Sequence, residues 1–279
     1  MKKLLLILLS LPLISFGQSG IEELLERGNA KYELEDYSGA IEDYTKVIEL
    51  YPENTYAYAS GGSAKYEEEL LRSLARKMAA KTGNSYERCI EALRKVGGYA
   101  SAYSSRGDAK YYLEDYTGAV TDFTKAIELD PENASAYDFR GRSKYFLDNE
   151  SEAITDLTKA IELDPENASA YYWRGNAKKA LEDYSDAVTD YTKAIELDSV
   201  NAPAYFYRGH SYHYLDSYSL AIVDYNKAIE LDPEYALAYH NRGLAKESLG
   251  FINGACSDWE KAAELGDVDA ATLVTENCQ

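Results

Sequence analysis

The sequence predicts an all-α solenoid of stacked helical hairpins, and two observations carry that prediction. A glycine recurs at Gly28, Gly62, Gly107, Gly141, Gly175, Gly209 and Gly243, and from Gly107 onward the step is 34 residues. Around each glycine the same small, aromatic and apolar residues return at helical spacing. A period of this size means repeated units that bury their apolar faces on one another, not a closed globule with one pocket.

The repeat is numbered here so that the recurring glycine is position 8. Position 4 is Leu24, Tyr58, Tyr103, Tyr137, Tyr171, Tyr205 and Tyr239. Position 20 is small: Ala40, Ala119, Ala153, Ala187, Ala221 and Ala255. Position 24 is large: Tyr44, Phe123, Leu157, Tyr191, Tyr225 and Trp259. Positions 4, 8 and 11 form one stripe of a first helix, and 20, 24 and 27 one stripe of a second. Small residues at 8 and 20 let the two helices approach, and the aromatics at 4 and 24 are expected to fill the space around them. Position 10, small throughout, is assigned to contact with the preceding repeat. Asp-Pro-Glu-Asn closes each second helix, because proline cannot continue a helix and asparagine can cap the next one.

These residues resemble the tetratricopeptide (TPR) pattern: an aromatic, then leucine-glycine, then tyrosine, followed by alanine, a large apolar residue, alanine and proline. Arginine at position 7 and lysine at position 11 depart from it. The resemblance covers about residues 21 to 265. It implies a right-handed superhelix of about seven helix-turn-helix units, starting near 21, 55, 100, 134, 168, 202 and 236.

Taken in order, the chain opens with Lys2 and Lys3, the apolar run LLLILLSLPLI, and Ser15-Phe16-Gly17. That pattern predicts a signal peptide over 1–17 and an exported mature chain, periplasmic or secreted in a bacterium. An uncleaved anchor is the other reading, although the run is short for a membrane span. The array occupies 18–265. Its second copy departs from the pattern: EEELLRSLARKMAAKTG runs on without a turn, which predicts an extended first helix. Arg72, Arg76, Lys77 and Lys81 make it locally basic, so it reads as a docking feature or as a tolerated insertion. Residues 266–279 are expected to form a capping helix over the last repeat. If that helix folds back at Gly266, Cys256 and Cys278 face each other, either as a disulfide or as two free thiols. Cys89 fills a position 20 and is expected in the core.

Arginine recurs at position 7 and aspartate at position 23, and the second copy lacks both, with Gly61 and Ala92 in their places. Joint loss predicts that the two pair within one repeat. Lys31, Lys110, Lys144 and Lys178 each stand four residues before an acid (Glu35, Glu114, Asp148, Glu182), which predicts weak pairs along one helix.

The formal net charge is −19, and becomes −21 without Lys2 and Lys3. Such a surface repels nucleic acid and anionic membranes and favours a basic partner, unless the acids merely solvate an outer face. No nucleophile elbow, zinc-protease, P-loop or dinucleotide motif occurs. Carboxylates recur with the scaffold, whereas a catalytic residue should occur once. No enzyme activity, cofactor or metal is therefore expected.

In TPR proteins the residues beside the first-helix stripe line a concave groove. Here that face holds Tyr111, Arg142, Tyr145, Tyr172, Asn176, Lys179, Phe206, His210, His213 and His240, which vary where the packing positions repeat. Some of these aromatics could instead cover neighbouring repeats. The three histidines read as ligand contacts, as plain lining or, more weakly, as a zinc site. The expectation is an interaction scaffold taking a peptide or protein segment. The alternative is an envelope protein binding carbohydrate or another small ligand through the aromatic groove.

Overall fold

In the computed structural model, residues 18–50 and 100–278 are described. The leader, the second copy and Cys89 lie outside them. The described residues contain thirteen helices and no strand. They fall into two compact units, one ending at Asp148 and one beginning at Asn149.

The first unit holds α1 (Gln18–Glu33), α2 (Tyr37–Leu50), α3 (100–112), α4 (Tyr116–Leu129) and α5 (Ala134–Tyr145). The second holds α6 (Glu150–Leu163), α7 (Ala168–Ala180), α8 (Tyr184–Leu197), α9 (Ala202–Tyr214), α10 (Tyr218–Leu231), α11 (Ala236–Ser248), α12 (Ile252–Glu264) and α13 (Val268–Asn277). Within each unit, helices adjacent in sequence pack as antiparallel pairs, the hairpin stacking of a TPR solenoid.

Local chemistry sets the boundaries. Asn133, Asn167 and Asn201 accept from the backbone N–H three residues on, capping α5, α7 and α9 at 2.9, 3.0 and 3.0 Å. Position 15, between the two helices of a hairpin, is left-handed in every described copy: Glu35, Glu114, Asp148, Glu182 and Asp216 have φ from 54° to 63°, and Gly250 has 79°. Only the last copy uses the residue that adopts this backbone without steric cost. The predicted lysine-to-acid pairs along the helix therefore do not form at these acids, because the chain turns away at position 15. Lysine at position 11 instead reaches aspartate at position 23: Lys31–Asp43 at 2.8 Å, Lys110–Asp122 at 2.9 Å, Lys178–Asp190 at 2.8 Å and Lys246–Asp258 at 2.7 Å.

That aspartate is the polar centre of each hairpin. Asp43 accepts from Arg27 Nε and Nη2 at 2.8 and 2.5 Å, Asp190 from Arg174 at 2.9 and 2.6 Å, and Asp224 from Arg208 at 2.8 and 2.7 Å. Arg106–Asp122 and Arg242–Asp258 repeat the fork, always within one repeat. Burial would raise the Asp43 carboxyl, but the bonds from Arg27 and Lys31 win and hold it below its ordinary value. The third guanidinium nitrogen crosses to the preceding hairpin: Arg174 Nη1 donates to Thr158 Oγ1 and Arg208 Nη1 to Thr192 Oγ1, both at 3.1 Å. The tyrosine at position 4 is only half-buried. It roofs the arginine, with guanidinium-to-ring distances of 5.4 Å at Tyr103 and 5.6 Å at Tyr171 and Tyr205. The core belongs to positions 20, 24 and 27 and to small residues at 3 and 10. Ala109 packs on the preceding hairpin with Leu24 and Tyr44, as does Ala245 with Ala221 and Tyr225.

The contact across repeats fixes stacking order. Arg106 Nη1 donates to Thr45 Oγ1 at 3.2 Å, the same position-7 to position-25 bond that joins consecutive hairpins elsewhere. Ala102 and Ala109 share one core with Leu24, Ala40 and Tyr44, and Tyr112 stacks on Tyr37 at 5.3 Å. The hairpin from 100 thus packs directly on the hairpin that ends at Leu50; the second copy, 55–99, lies outside the described residues. Excising 55–99 would join Leu50-Tyr51-Pro52-Glu53-Asn54 to Ala100, the same junction type as Leu129-Asp130-Pro131-Glu132-Asn133-Ala134. The excised chain is expected to fold with one cooperative transition at an unchanged urea midpoint. Loss of the transition would show that stacking needs 55–99.

At the other end, α13 covers α12. Cys256 and Cys278 are bonded, with S–S 2.01 Å and Cα–Cα 5.6 Å, and Ala270 joins the core of Ala255, Trp259 and Ala262. No helix among the described residues is long and apolar enough to cross a membrane.

Candidate functional site

The first helices present positions 5, 9 and 12 beside their packing stripe. Position 9 follows a simple rule. Where it is asparagine and position 24 is tyrosine, the two bond: Tyr44 Oη donates to Asn29 Oδ1 at 2.9 Å and Tyr191 Oη to Asn176 Oδ1 at 2.7 Å. Asn176, expected to face a ligand, is therefore buried and committed to the scaffold.

In α9 the rule breaks. Position 9 is His210 opposite Tyr225, and neither bonds: His210 Nδ1 and Tyr225 Oη are buried without a partner, as is His213 Nδ1 one turn on. His210 lies between Phe206 at 6.3 Å and Tyr214 at 4.8 Å, and His213 meets the edge of Tyr218 at 5.1 Å. Lys179, from α7, sits over the Tyr207 ring at 4.7 Å. Burial lowers its ammonium and pushes the His210 imidazole down to about 4, with Lys179 and His213 adding to the push. The arrangement is a desolvated, uncharged or positive cluster with unmet hydrogen-bonding atoms, in a chain that is strongly acidic overall.

That desolvation predicts a pH effect. The unfolded chain protonates His210 as pH falls through about 6.5, whereas the folded chain resists until about 4. The contribution is therefore complete above about 6.5 and is lost on acidification towards 4. The urea midpoint should fall between pH 7 and pH 5, and His210→Phe should flatten that fall. An equal slope in the variant contradicts the assignment.

The other expected groove residues divide. Tyr172 is half-buried with ring centroids 5.3 Å from Trp173 and 6.2 Å from Tyr207, so it adjoins the cluster. Phe206 does not line a groove: it is buried in the core with Ala221 and Tyr225 and lies 4.9 Å from Tyr235. His240 is not brought to His210 and His213. Its Nδ1 lies 3.0 Å from Asp267 Oδ2, at the capping residue of α13, and its carbonyl accepts from Trp259 Nε1 at 3.3 Å. Among the described residues no three histidine, cysteine or acidic groups stand where they could hold a metal. In the first unit, Arg142 is engaged bidentately by Asp138 and stacks 4.4 Å above Phe139. Tyr111 packs edge-on to Tyr112, Tyr116 and Phe139 at 5.3–5.6 Å, and Tyr145 edge-on to Phe146 at 5.6 Å. Comparing columns 9 and 24 would have found the unbonded groups from sequence, since asparagine with tyrosine gives way to histidine with tyrosine and to aspartate with phenylalanine.

Fold and repeat chemistry together define a class, the tetratricopeptide-repeat proteins. A TPR repeat model matches residues 107–142, 149–182, 175–216 and 209–250, and a tetratricopeptide repeat model matches 21–54. The chain belongs to this family. It is similar to RNA polymerase II-associated protein 3 of Rattus norvegicus, 30% identical over 110 residues that make up 39% of this chain and 15% of that protein. It is also similar to small glutamine-rich tetratricopeptide repeat-containing protein 2 of Mycosarcoma maydis, 33% identical over 112 residues, 40% of this chain and 29% of that one. The chain thus spans under a third of either relative. Among solved structures, MamA matches at 31% identity and TM-score 0.55, over 59% of this chain and 96% of that one. YrrB, described as a TPR protein with an unusual peptide-binding site, matches at 21% identity and TM-score 0.57, over 74% and 99%. At that identity the likeness shows the fold alone.

Proposed function

We propose that the chain is an exported interaction scaffold that holds a peptide or protein segment along its first-helix face, without catalysis. The observation that carries this reading is the pair of unbonded imidazole nitrogens at His210 and His213, two half-buried residues of the first-helix face, with Lys179 near His210. A scaffold built only for stacking gains nothing from leaving polar atoms unmet, since each costs about 1–3 kcal/mol. A peptide backbone supplies both donors and acceptors to such atoms, and Tyr172 and Tyr207 supply contact area. Family membership supports the same reading. Export rests on the leader pattern of 1–17 and is consistent with the Cys256–Cys278 bond, which persists in oxidising compartments.

Selection of a random peptide library on the full chain tests the reading. Selected peptides should lose at least tenfold in affinity against Lys179→Ala/His213→Ala and keep it against a change on the outer face of a second helix, such as Glu196→Ala. Selection of nothing, with retention on cell-wall polysaccharide instead, would replace the peptide reading with the carbohydrate one.

A further inference from the structure

The rule that position 9 bonds to position 24 also fails in the first unit, with the opposite chemistry. There position 9 is Asp108 on α3, and position 24 is Phe123, which has no hydroxyl to give. Among the described residues, two neighbouring donors are engaged elsewhere. The Tyr44 hydroxyl of the preceding hairpin goes to Asn29 at 2.9 Å. The Arg142 guanidinium of the following helix goes to Asp138, with Nε at 2.9 Å from Oδ1. Asp108 Oδ1 is left buried and without a partner. The residue as a whole is half-buried, but its carboxyl is nearly enclosed.

The charged groups acting on Asp108 are thus one guanidinium, Arg142, and one further carboxylate, Asp138, to which that guanidinium is bonded. The cluster is bordered by rings from three helices: Tyr32 lies 6.0 Å from Tyr112, and Phe139 lies 6.4 Å from Tyr112 and 5.3 Å from Tyr111. Aromatic faces beside an unmet carboxylate suit an organic cation, which can shed water against the rings while it neutralises the acid. We propose that Asp108 and the rings around it form a cation-accepting site that takes the ammonium or guanidinium of a lysine or arginine side chain. This rests on the reading of the first-helix face as the binding surface, and it makes the partner segment basic at this point.

The groups facing Asp108 are Tyr32 from α1, Tyr44 from α2, and Asp138 and Arg142 from α5. Burial raises the Asp108 carboxyl to about 7, against a smaller opposing pull from Arg142 and with a push from Asp138. A bound cation favours the ionised form and must lower that midpoint.

The test follows the Asp108 carboxyl carbon by NMR across pH, in the full chain, with n-butylguanidinium chloride as probe and equal sodium chloride as control. The resonance is assigned as the aspartate that titrates near neutrality and is absent in Asp108→Asn. With the probe at about nine times its dissociation constant, the midpoint should fall by about one pH unit relative to the control. A midpoint that does not move, or moves equally in sodium chloride, means that Asp108 holds only a proton and overturns the proposal. Library peptides supply a second arm. Selected peptides should contain a basic residue whose change to norleucine weakens binding to the native chain and not to Asp108→Asn. Peptides that bind with no such dependence would overturn the cation site and leave the scaffold reading standing. A midpoint shift with no selectable peptide would do the reverse.

Discussion

Replacing Asp190 by alanine is expected to cost the second unit about 3–5 kcal/mol, because it strands two cations that share one buried acceptor. Asp190 is 2% exposed and takes Arg174 Nε at 2.9 Å, Arg174 Nη2 at 2.6 Å and Lys178 Nζ at 2.8 Å. Without the carboxylate, Arg174 keeps only its bond to Thr158 and the Tyr171 ring beneath it. The damage should spread. The same arginine ties its hairpin to the one before, so losing its anchor weakens an interface as well as a repeat, and in a linear array each interface matters to its neighbours. Urea unfolding of Asp190→Ala, Arg174→Met and the double variant forms a cycle whose coupling should be about 2–3 kcal/mol. Additive single effects would mean that the fork is decorative.

Trp259→Ala should cost a similar amount, about 3–5 kcal/mol, by a different route. Trp259 is fully buried, packs over Gly243, and carries Ala255, Ala262 and Ala270 around it. Its removal leaves a large void in the last hairpin, which among the described residues is covered on its far side by the short helix α13 alone. The expected consequence is fraying of α11 to α13 rather than collapse of the unit, seen as fast amide exchange confined to 236–277 with α7 to α10 still protected. The disulfide keeps α13 attached but cannot refill the core. Uniform loss of protection across the unit would show that the array unfolds as one block and would contradict the nearest-neighbour picture.

Much of this architecture could be read from the chain because stacking is periodic. Gly175 must be small since a Cβ there would meet Tyr191 Cε1 at 2.8 Å, and the same constraint returns at Gly28, Gly107, Gly209 and Gly243, so the column stands out. The arginine–aspartate fork was readable for the same reason. What escaped was set by neighbours that a single helix does not display. In the sequence Lys178 has Glu182 four residues on, but in the structure it meets Asp190 at 2.8 Å and Asp186 at 3.7 Å across the hairpin. Glu182 is carried off by a left-handed turn that its identity does not announce. Phe206 and Tyr172 share position 5 and each meets its position-24 tyrosine, yet one is core and the other flanks the histidine cluster, because Tyr235 closes over Phe206 where the preceding repeat has Asn201. His240 looked like its fellow histidines until the cap brought Asp267 to it. The second copy, 55–99, which the glycine period adds to the array, lies outside the described residues, and Arg106 bonding Thr45 joins the hairpins on either side of it.

The binding face is best tested by amide hydrogen exchange on the full chain with and without a library-selected peptide. The account predicts that protection gained on binding falls on the first helices, 100–112, 134–145, 168–180 and 202–214, and that the outward residues of 184–197 and 218–231 are unchanged. Protection confined to the second helices, with the first helices unaltered, would contradict it.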